Sequence, residues 1–161
     1  MCWLADGSCP ARQPFIETLP DAQLTGSSSE NSDGAFANSR LSSSTAWSPQ
    51  VISLDIMPYL QADLGDVKQI EAVATSGHAN VSFNRWVTSY VISYSHVDGN
   101  FTTIKMGNGT ERVFDGNNDS TSVKLNDFNA TLARYVRLVP RNWQSQQIAT
   151  RWEIYGCDYY G

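Results

Sequence analysis

The chain has 161 residues and a net charge of −5, with 16 acidic against 11 basic side chains. That length suits one domain with a sizeable core, and the acidic balance argues against binding to nucleic acid phosphates. Five Trp, seven Tyr and six Phe argue against a disordered chain. No apolar run approaches the length of a membrane span, and the first nine residues lack the basic and apolar segments of a signal peptide.

Alternation of apolar and polar residues predicts an all-β fold. No segment carries a helical stripe, whereas short alternating runs recur about every ten residues, as in a sandwich or barrel. The predicted strands are Leu60–Asp63, Ile70–Ser76, Trp86–Ser95, Phe101–Lys105, Ser122–Leu125, Tyr135–Val139 and Arg151–Tyr155. The Asp98-Gly99 pair predicts a hairpin between two of them. Residues 21–59 are rich in Ser without clean alternation and are predicted to form long loops.

The three cysteines lie close to the two ends of the sequence, at Cys2, Cys9 and Cys157. A bridge between Cys9 and Cys157 would close a loop of roughly 150 residues and stabilise the fold by about 4–5 kcal/mol. The alternative is three free buried thiols. With the bridge, Cys2 is left over, to pair with a neighbouring domain, with another chain or with nothing.

N-linked glycosylation sequons are the second feature that points outside the cell. There are five of them, where chance predicts about two; they begin at Asn80, Asn100, Asn108, Asn118 and Asn129. Because glycans require surface positions in a secreted protein, we expect an extracellular glycoprotein. If three sequons are used, sugar covers much of one side of the domain.

Eight short landmarks occur in order along nearly the whole chain, from Cys9 to Cys157. They are Asp21-Ala-Gln-Leu-Thr-Gly-Ser-Ser, Ser39-Arg-Leu, Ala46-Trp-Ser-Pro, Leu60-Gln-Ala-Asp-Leu-Gly, Trp86-Val-Thr-Ser-Tyr, Val113-Phe-Asp-Gly-Asn, Ala133-Arg-Tyr-Val-Arg and Arg151-Trp-Glu-Ile-Tyr-Gly-Cys. In this order they resemble a discoidin domain, also called the coagulation factor V/VIII type C domain. The resemblance implies a jellyroll β-barrel or sandwich of about eight strands whose ends are joined by a Cys9–Cys157 disulfide. It places the domain at residues 9–158, with an extension at 1–8 and a tail at 159–161.

Some landmark residues are expected to be structural. The large aromatics are predicted to lie in the core: Trp47, Trp86 and Trp152. A partly buried ion-pair network is predicted among the nearby charges: Arg134, Arg137 and Arg151 with Asp63 and Glu153.

Ligands of discoidin domains usually meet the loops at one end of the barrel, which are called spikes. Here the first spike is Glu30–Arg40, the second Ser42–Ile56 and the third Gly77–Arg85. The resemblance makes the following residues candidates for ligand contact: Phe36, Asn38, Arg40, Val51, Ile52, His78, Val81, Phe83, Asn84 and Arg85. Aromatic faces beside Asn, Arg and His are typical of sugar sites. The preferred ligand is therefore a cell-surface glycan or glycoprotein.

The alternative ligand is an anionic phospholipid membrane containing phosphatidylserine. Clotting members of the family insert exposed apolar spike residues into such membranes, and this sequence offers Met57 besides the apolar candidates. Three features argue against it: the first spike lacks a Trp pair, the spikes hold few cations, and Asn80 places a sequon on the third spike. Binding of peptides that end in Arg, as in neuropilin-like members, needs an acidic residue where Ile52 lies. Adhesion to another extracellular protein stays open.

No pattern of catalytic residues is present, so we expect a binding module and no enzyme. The chain has only His78 and His96, and lacks the H-E-x-x-H and G-x-S-x-G motifs. No cofactor is expected. Some family members hold a structural calcium ion near the first loops, where Asp33 is the candidate ligand. The expected location is extracellular, secreted or on the cell surface, within a larger protein of several domains.

Overall fold

The computed structural model describes residues 7–31, 36–51 and 53–161. These described residues form eight strands: β1 Gln13–Pro14, β2 Leu24–Gly26, β3 Leu60–Ser76, β4 Trp86–Ser95, β5 Thr102–Thr103, β6 Phe114–Asp115, β7 Lys124–Gln144 and β8 Arg151–Asp158. Four 3₁₀ turns connect them: Ile16–Thr18, Asp21–Gln23, Ala37–Ser39 and Val81–Phe83. The prediction of an all-β fold is confirmed, and β4 has the predicted bounds.

All strands pair antiparallel in one sheet, in the order β1-β8-β3-β7-β4-β5, with β2 added to β3 and β6 to β4. The long strands β3 and β7 pair in three stretches, because their register shifts between Asp63 and Lys68 and again between Ile70 and Ala72. Gly65 lies at the first shift with a φ of +87°, a conformation that glycine adopts without a steric penalty. A bulge of this kind bends a strand, so both long strands change direction here and the sheet folds over one core.

The core is built from aromatic and branched side chains of β3, β4, β7 and β8. Trp47 and Trp152 are completely buried, as predicted, whereas Trp86 at the start of β4 is only half-buried. The rings of Tyr90 and Phe114 stack with their centroids 5.5 Å apart. Each large apolar side chain of this kind contributes about 1.5–3 kcal/mol through burial.

The predicted ion-pair network is wrong for two of its three arginines. Arg134 does pair with Asp63, with Nε and Oδ1 2.9 Å apart. Arg137 instead lies 3.8 Å from the ring centroid of Phe101 and donates to the side chain of Gln61. Arg151 and Glu153 do not pair with each other either, because buried backbone groups also need partners and these two charges hydrogen-bond to such groups.

Glu153 illustrates this use of a buried charge. Its carboxylate accepts hydrogen bonds from the backbone N–H groups of Ile16 and Glu17, at 2.6 and 2.9 Å. These contacts hold the first 3₁₀ turn against β8. Burial raises the pKa of Glu153 above its usual range, although the amide donors oppose that shift.

The predicted Cys9–Cys157 disulfide is confirmed, and its Cα atoms are 5.7 Å apart. Beside it, the buried carboxylate of Glu71 accepts hydrogen bonds from the backbone N–H of Cys9 and from Arg12. Arg151 starts β8 and Cys157 lies six residues further along it, a distance of about 20 Å in a strand. The two ends of the sandwich are called here the Arg151 end and the disulfide end. Cys2 lies outside the described residues, and the predicted extension at 1–8 stays a prediction.

Candidate functional site

The buried guanidinium of Arg151 ties two spikes together. It donates from Nε to the carbonyl of Gly77 at 2.8 Å, where the third spike begins. From Nη1 it donates to the carbonyl of Leu41 at 2.9 Å, where the second spike begins, and from Nη2 to Ser76 Oγ. Burial lowers the pKa of Arg151. These three hydrogen bonds of one side chain thus fix the bases of both loops.

Backbone hydrogen bonds add to this anchoring. Trp47 exchanges two of them with Thr150, at 3.0 and 3.1 Å, and its indole Nε1 donates to the carbonyl of Ser28 at 2.9 Å. The N–H of Ala79 donates to the carbonyl of Thr45, which links the third spike to the second. The spike bases are therefore held in place before any ligand arrives.

The third spike is a compact turn with an aromatic stack. The side chain of Asn80 accepts the N–H of Ser82, and Asn84 ends the turn with a φ of 49°. The rings of His78 and Phe83 lie 4.4 Å apart. The guanidinium of Arg85 lies 5.2 Å from the Phe83 centroid. Burial and the nearby Arg85 lower the pKa of His78, so that its ring is neutral and its Nδ1 accepts the N–H of Asn80.

A cavity of about 410 Å³ opens between the spikes and the β7–β8 loop; it is lined by Glu30, Val51, Arg85, Ser145, Gln146 and Gln147. Arg85 Nη1 lies 3.7 Å from Glu30 Oε2. The amide of Gln147 donates to the carbonyl of Pro49 at 2.7 Å, which fixes its orientation. This volume is typical of small-ligand sites, and the lining is polar except for Val51. The name spike pocket is used below for this cavity.

The second spike presents apolar side chains to solvent: Val51, Leu54, Ile56 and Met57, which are 54%, 72%, 76% and 63% exposed. In the same loop, the carboxylate of Asp55 accepts hydrogen bonds from the hydroxyls of Ser27 and Ser28. The one acidic group of this segment is thereby turned towards the protein. On the third spike, Val81 and Phe83 are also exposed, at 65% and 47%.

The candidates of the first spike have contacts within the protein. Phe36 is half-buried and packs against the core. Asn38 is half-buried within a 3₁₀ turn. Arg40 pairs with Asp21, at 2.7 Å between Nη1 and Oδ1, and donates to the carbonyl of Leu19. The structure brings Val51, His78, Phe83 and Arg85 together near the spike pocket, with Val81 and Asn84 on the exposed turn beside them. Ile52 and Asp33 lie outside the described residues.

Sequence reasoning missed the β7–β8 loop as a wall of the site. Gln146 and Gln147 belong to no spike, and Glu30 was assigned to a spike without a role. The polar run Gln144-Ser-Gln-Gln147 between two apolar strands was the available signal. This polar run predicts a loop but not its position. The β7–β8 loop lies beside the spikes only because β7 pairs with β4, where Gln144 lies opposite Trp86.

Metal ligands, membrane-spanning helices and glycosylation sequons are the remaining predicted features. Among the described residues, no three His, Cys, Asp or Glu side chains are arranged to hold a metal ion. No helix of the described segments is long and apolar enough to cross a membrane. All five sequon asparagines are exposed. Use of the sequons stays a prediction.

Comparison with known proteins gives consistent matches. The model of the F5/8 type C domain family matches residues 23–154. Neurexin-4 of Drosophila melanogaster is 33% identical over 159 residues, which are 98% of this chain and 11% of that protein. Recombinant discoidin II of Dictyostelium discoideum superposes with a TM-score of 0.71 at 27% identity, over 85% of this chain and 56% of that one. The family 32 carbohydrate-binding module of C. perfringens NanJ, solved in complex with galactose, has a TM-score of 0.64 at 17% identity, over 90% and 99%. The chain thus spans only part of the first two.

Proposed function

Because the chain belongs to the F5/8 type C, or discoidin, domain family, we propose that it is an extracellular, non-enzymatic recognition module that binds a cell-surface glycan or glycoprotein through its spikes. The observation that carries this proposal is the spike pocket, where Glu30, Arg85 and Gln147 converge beside an exposed aromatic ring. The disulfide supports the extracellular location, since such bonds persist in oxidising compartments.

The groups of the spike pocket suit sugar hydroxyls. The Arg85 guanidinium donates hydrogen bonds, and the Glu30 carboxylate and the amide oxygen of Gln147 accept them, since the Gln147 amide nitrogen already donates to Pro49 and Glu30. The Arg85–Glu30 contact is long, at 3.7 Å, so both groups keep capacity for a ligand. Hydrogen bonds to charged groups contribute about 1.5–3 kcal/mol each, and the half-exposed ring of Phe83 offers an apolar face for a pyranose.

The NanJ module, which shares the fold, is described in complex with galactose. A single shallow pocket of this size predicts weak affinity for one sugar. Several copies of the ligand on a cell surface, or several binding domains in one protein, would raise the overall affinity without any new contact. This is the adhesion mechanism that we propose.

A glycan array with the secreted domain is the direct test. Arg85→Gln should lower binding to the best glycan at least tenfold, since it removes a charged donor. Arg141→Gln is the matched control, because Arg141 also pairs with a glutamate, Glu111, at 2.8 Å, outside the spike pocket. Equal binding by wild type and Arg85→Gln, or absence of any glycan ligand, would contradict the proposal.

Anionic phospholipid is the second candidate, and the exposed apolar row of the second spike favours it. Leu54, Ile56 and Met57 are each more than 60% exposed, and burial of such side chains in a bilayer contributes about 25 cal/mol per Å² of apolar surface. The opposing feature is Asn80, since a hydrated glycan beside Val81 would keep the third spike out of the bilayer.

Co-sedimentation with phosphatidylserine vesicles separates this candidate from the first. If the membrane is the ligand, Ile56→Ser lowers binding severalfold, and removal of the glycans raises it. Val97→Ser is the matched control, because Val97 is 59% exposed outside the spikes. Pelleting that is equal for phosphatidylserine and phosphatidylcholine vesicles would eliminate the membrane candidate and leave the glycan proposal in place.

A further inference from the structure

A second cavity, of about 620 Å³, lies on the flank of the sandwich, outside the spikes. It is called here the flank groove. Its floor and walls include Ile104, Met106 and Phe128, with the charged side chains of Lys105 and Arg112 at its edge. Phe128 and Ile104 are almost buried, at 8% exposure each, whereas Met106 is 53% exposed. The groove therefore combines an apolar surface with polar groups, as ligand sites do.

β7 contributes four residues to the groove: Asp127, Phe128, Asn129 and Thr131. They lie where the pairing of β7 with β3 is irregular, between the Asp127 and Thr131 pairs, and such a bulge re-aims side chains out of strict alternation. Asn129 and Thr131 are also the acceptor and the hydroxyl residue of the sequon Asn129-Ala-Thr131. The attachment point of a glycan thus forms part of the wall of the groove.

We propose that Asn129 carries an N-linked glycan whose first sugars pack into the flank groove. The first sugar of such a glycan is covalently bonded to the Asn129 side chain, which lies on the groove wall, so it is held next to the groove. Apolar faces of N-acetylglucosamine would cover Met106 and the edge of Phe128. Lys105 and Arg112 would donate to its hydroxyl and acetamide oxygens, since among the described residues no ion pair includes either cation.

The sequon at Asn108 gives an instructive contrast. Asn108 is exposed and is not on the groove wall, although Gly107 beside it is. Its Oδ1 accepts the N–H and the hydroxyl of Thr110 within its own turn. Of the two neighbouring sequons only Asn129 lies on the wall, so we expect a glycan there to stabilise the fold and a glycan at Asn108 to have no such effect.

The test is a melting-temperature cycle with protein from cells that attach high-mannose glycans and with unglycosylated protein from bacteria. Mass spectrometry first measures occupancy of Asn129. In the glycosylated background, Asn129→Gln and Thr131→Ala should each lower the melting temperature by about 2–4 °C. In the bacterial background, neither should change it by as much. Asn108→Gln is the matched control and should have no effect in either background.

Two further arms localise the effect to the groove. Trimming with an endoglycosidase to one N-acetylglucosamine should keep most of the stabilisation. Met106→Ser, on the groove wall, should reduce the difference between glycosylated and bacterial protein, whereas Val123→Ser, equally exposed at 58% but not on the wall, should preserve it. An unoccupied Asn129, or equal losses for Asn129→Gln in both backgrounds, would overturn the proposal.

Discussion

The two ends of the sandwich are held together by different chemistry. At the disulfide end, a covalent bond and charge pairs join the segments: Arg12 with Glu71, and Lys68 with Asp158. At the Arg151 end, one buried arginine donates to backbone carbonyls, and no acidic side chain of the described residues forms an ion pair with it. The first arrangement closes the fold, and the second shapes loops.

This difference indicates that the contacts that close the fold, at the disulfide end, are separate from the contacts that shape the ligand site, at the Arg151 end. Changes at the disulfide end should alter global stability and leave the geometry of the spikes intact. Changes at the Arg151 end should weaken ligand binding as well as lower the free energy of unfolding. The predictions below follow from this contrast, in order of decreasing effect.

Loss of the disulfide should have the largest effect on stability. The bridge joins residues 148 positions apart, and in the chain-entropy model its removal costs about 4–5 kcal/mol. We expect the double variant Cys9→Ser/Cys157→Ser to lose that much free energy of unfolding in urea titrations. The folded fraction should bind its ligand with the affinity of the wild type, and a weaker affinity would show that the two ends are coupled.

Arg151→Met should have the second largest effect. It leaves the buried carbonyl of Gly77 and the partly buried carbonyl of Leu41 without their donor, and a buried group left unsatisfied costs about 1–3 kcal/mol. Ligand affinity should fall with stability, because both spike bases lose their anchor. Urea unfolding measures the first effect, and the glycan or vesicle assay the second.

Arg141→Met serves as the control for Arg151→Met. Arg141 is exposed and pairs with Glu111, and exposed pairs contribute about 0–1 kcal/mol. An Arg151→Met domain that is as stable as this control and binds as tightly would contradict the anchoring role.

A smaller effect is expected from pH, through His78. Its pKa in the folded protein is lowered from 6.5 by burial and by Arg85 and Arg151, while Glu30 opposes the shift. The unfolded chain therefore binds a proton more readily, so stability should fall as the pH drops below about 6.5. His78→Gln should remove this dependence in thermal melts, whereas His96→Gln, on an exposed residue, should keep it. Identical pH profiles for His78→Gln and the wild type would refute the assignment.

Much of the fold could be predicted from the sequence because strand alternation and the family landmarks are local signals. β4 was predicted with its observed bounds. Leu60–Asp63 and Ile70–Ser76, predicted as two strands, are one strand, β3. Polar residues around Gly65 interrupt the alternation of apolar and polar side chains. The backbone nevertheless continues as one strand through the bulge and pairs with β7 on both sides of it.

The site was less predictable because contacts between loops depend on pairing between strands that are far apart in the sequence. His78, Phe83 and Arg85 were found, since they follow one another on one short spike. The partner of Arg85, Glu30, lies 55 positions earlier, and no local pattern joins the two. The burial of Phe36 against the core was equally hidden, since an apolar residue in a Ser-rich loop has the same sequence signal whether it points inward or outward.

The most direct test of the account is hydrogen–deuterium exchange of the domain, free and bound to the best glycan of the array, or to phosphatidylserine vesicles if no glycan binds. The account predicts slower exchange on binding in residues 77–85 and 145–149, at the Arg151 end. It predicts no change in residues 66–71 and 156–160, beside the disulfide. Protection confined to the disulfide end would contradict the claim that the spikes recognise the ligand.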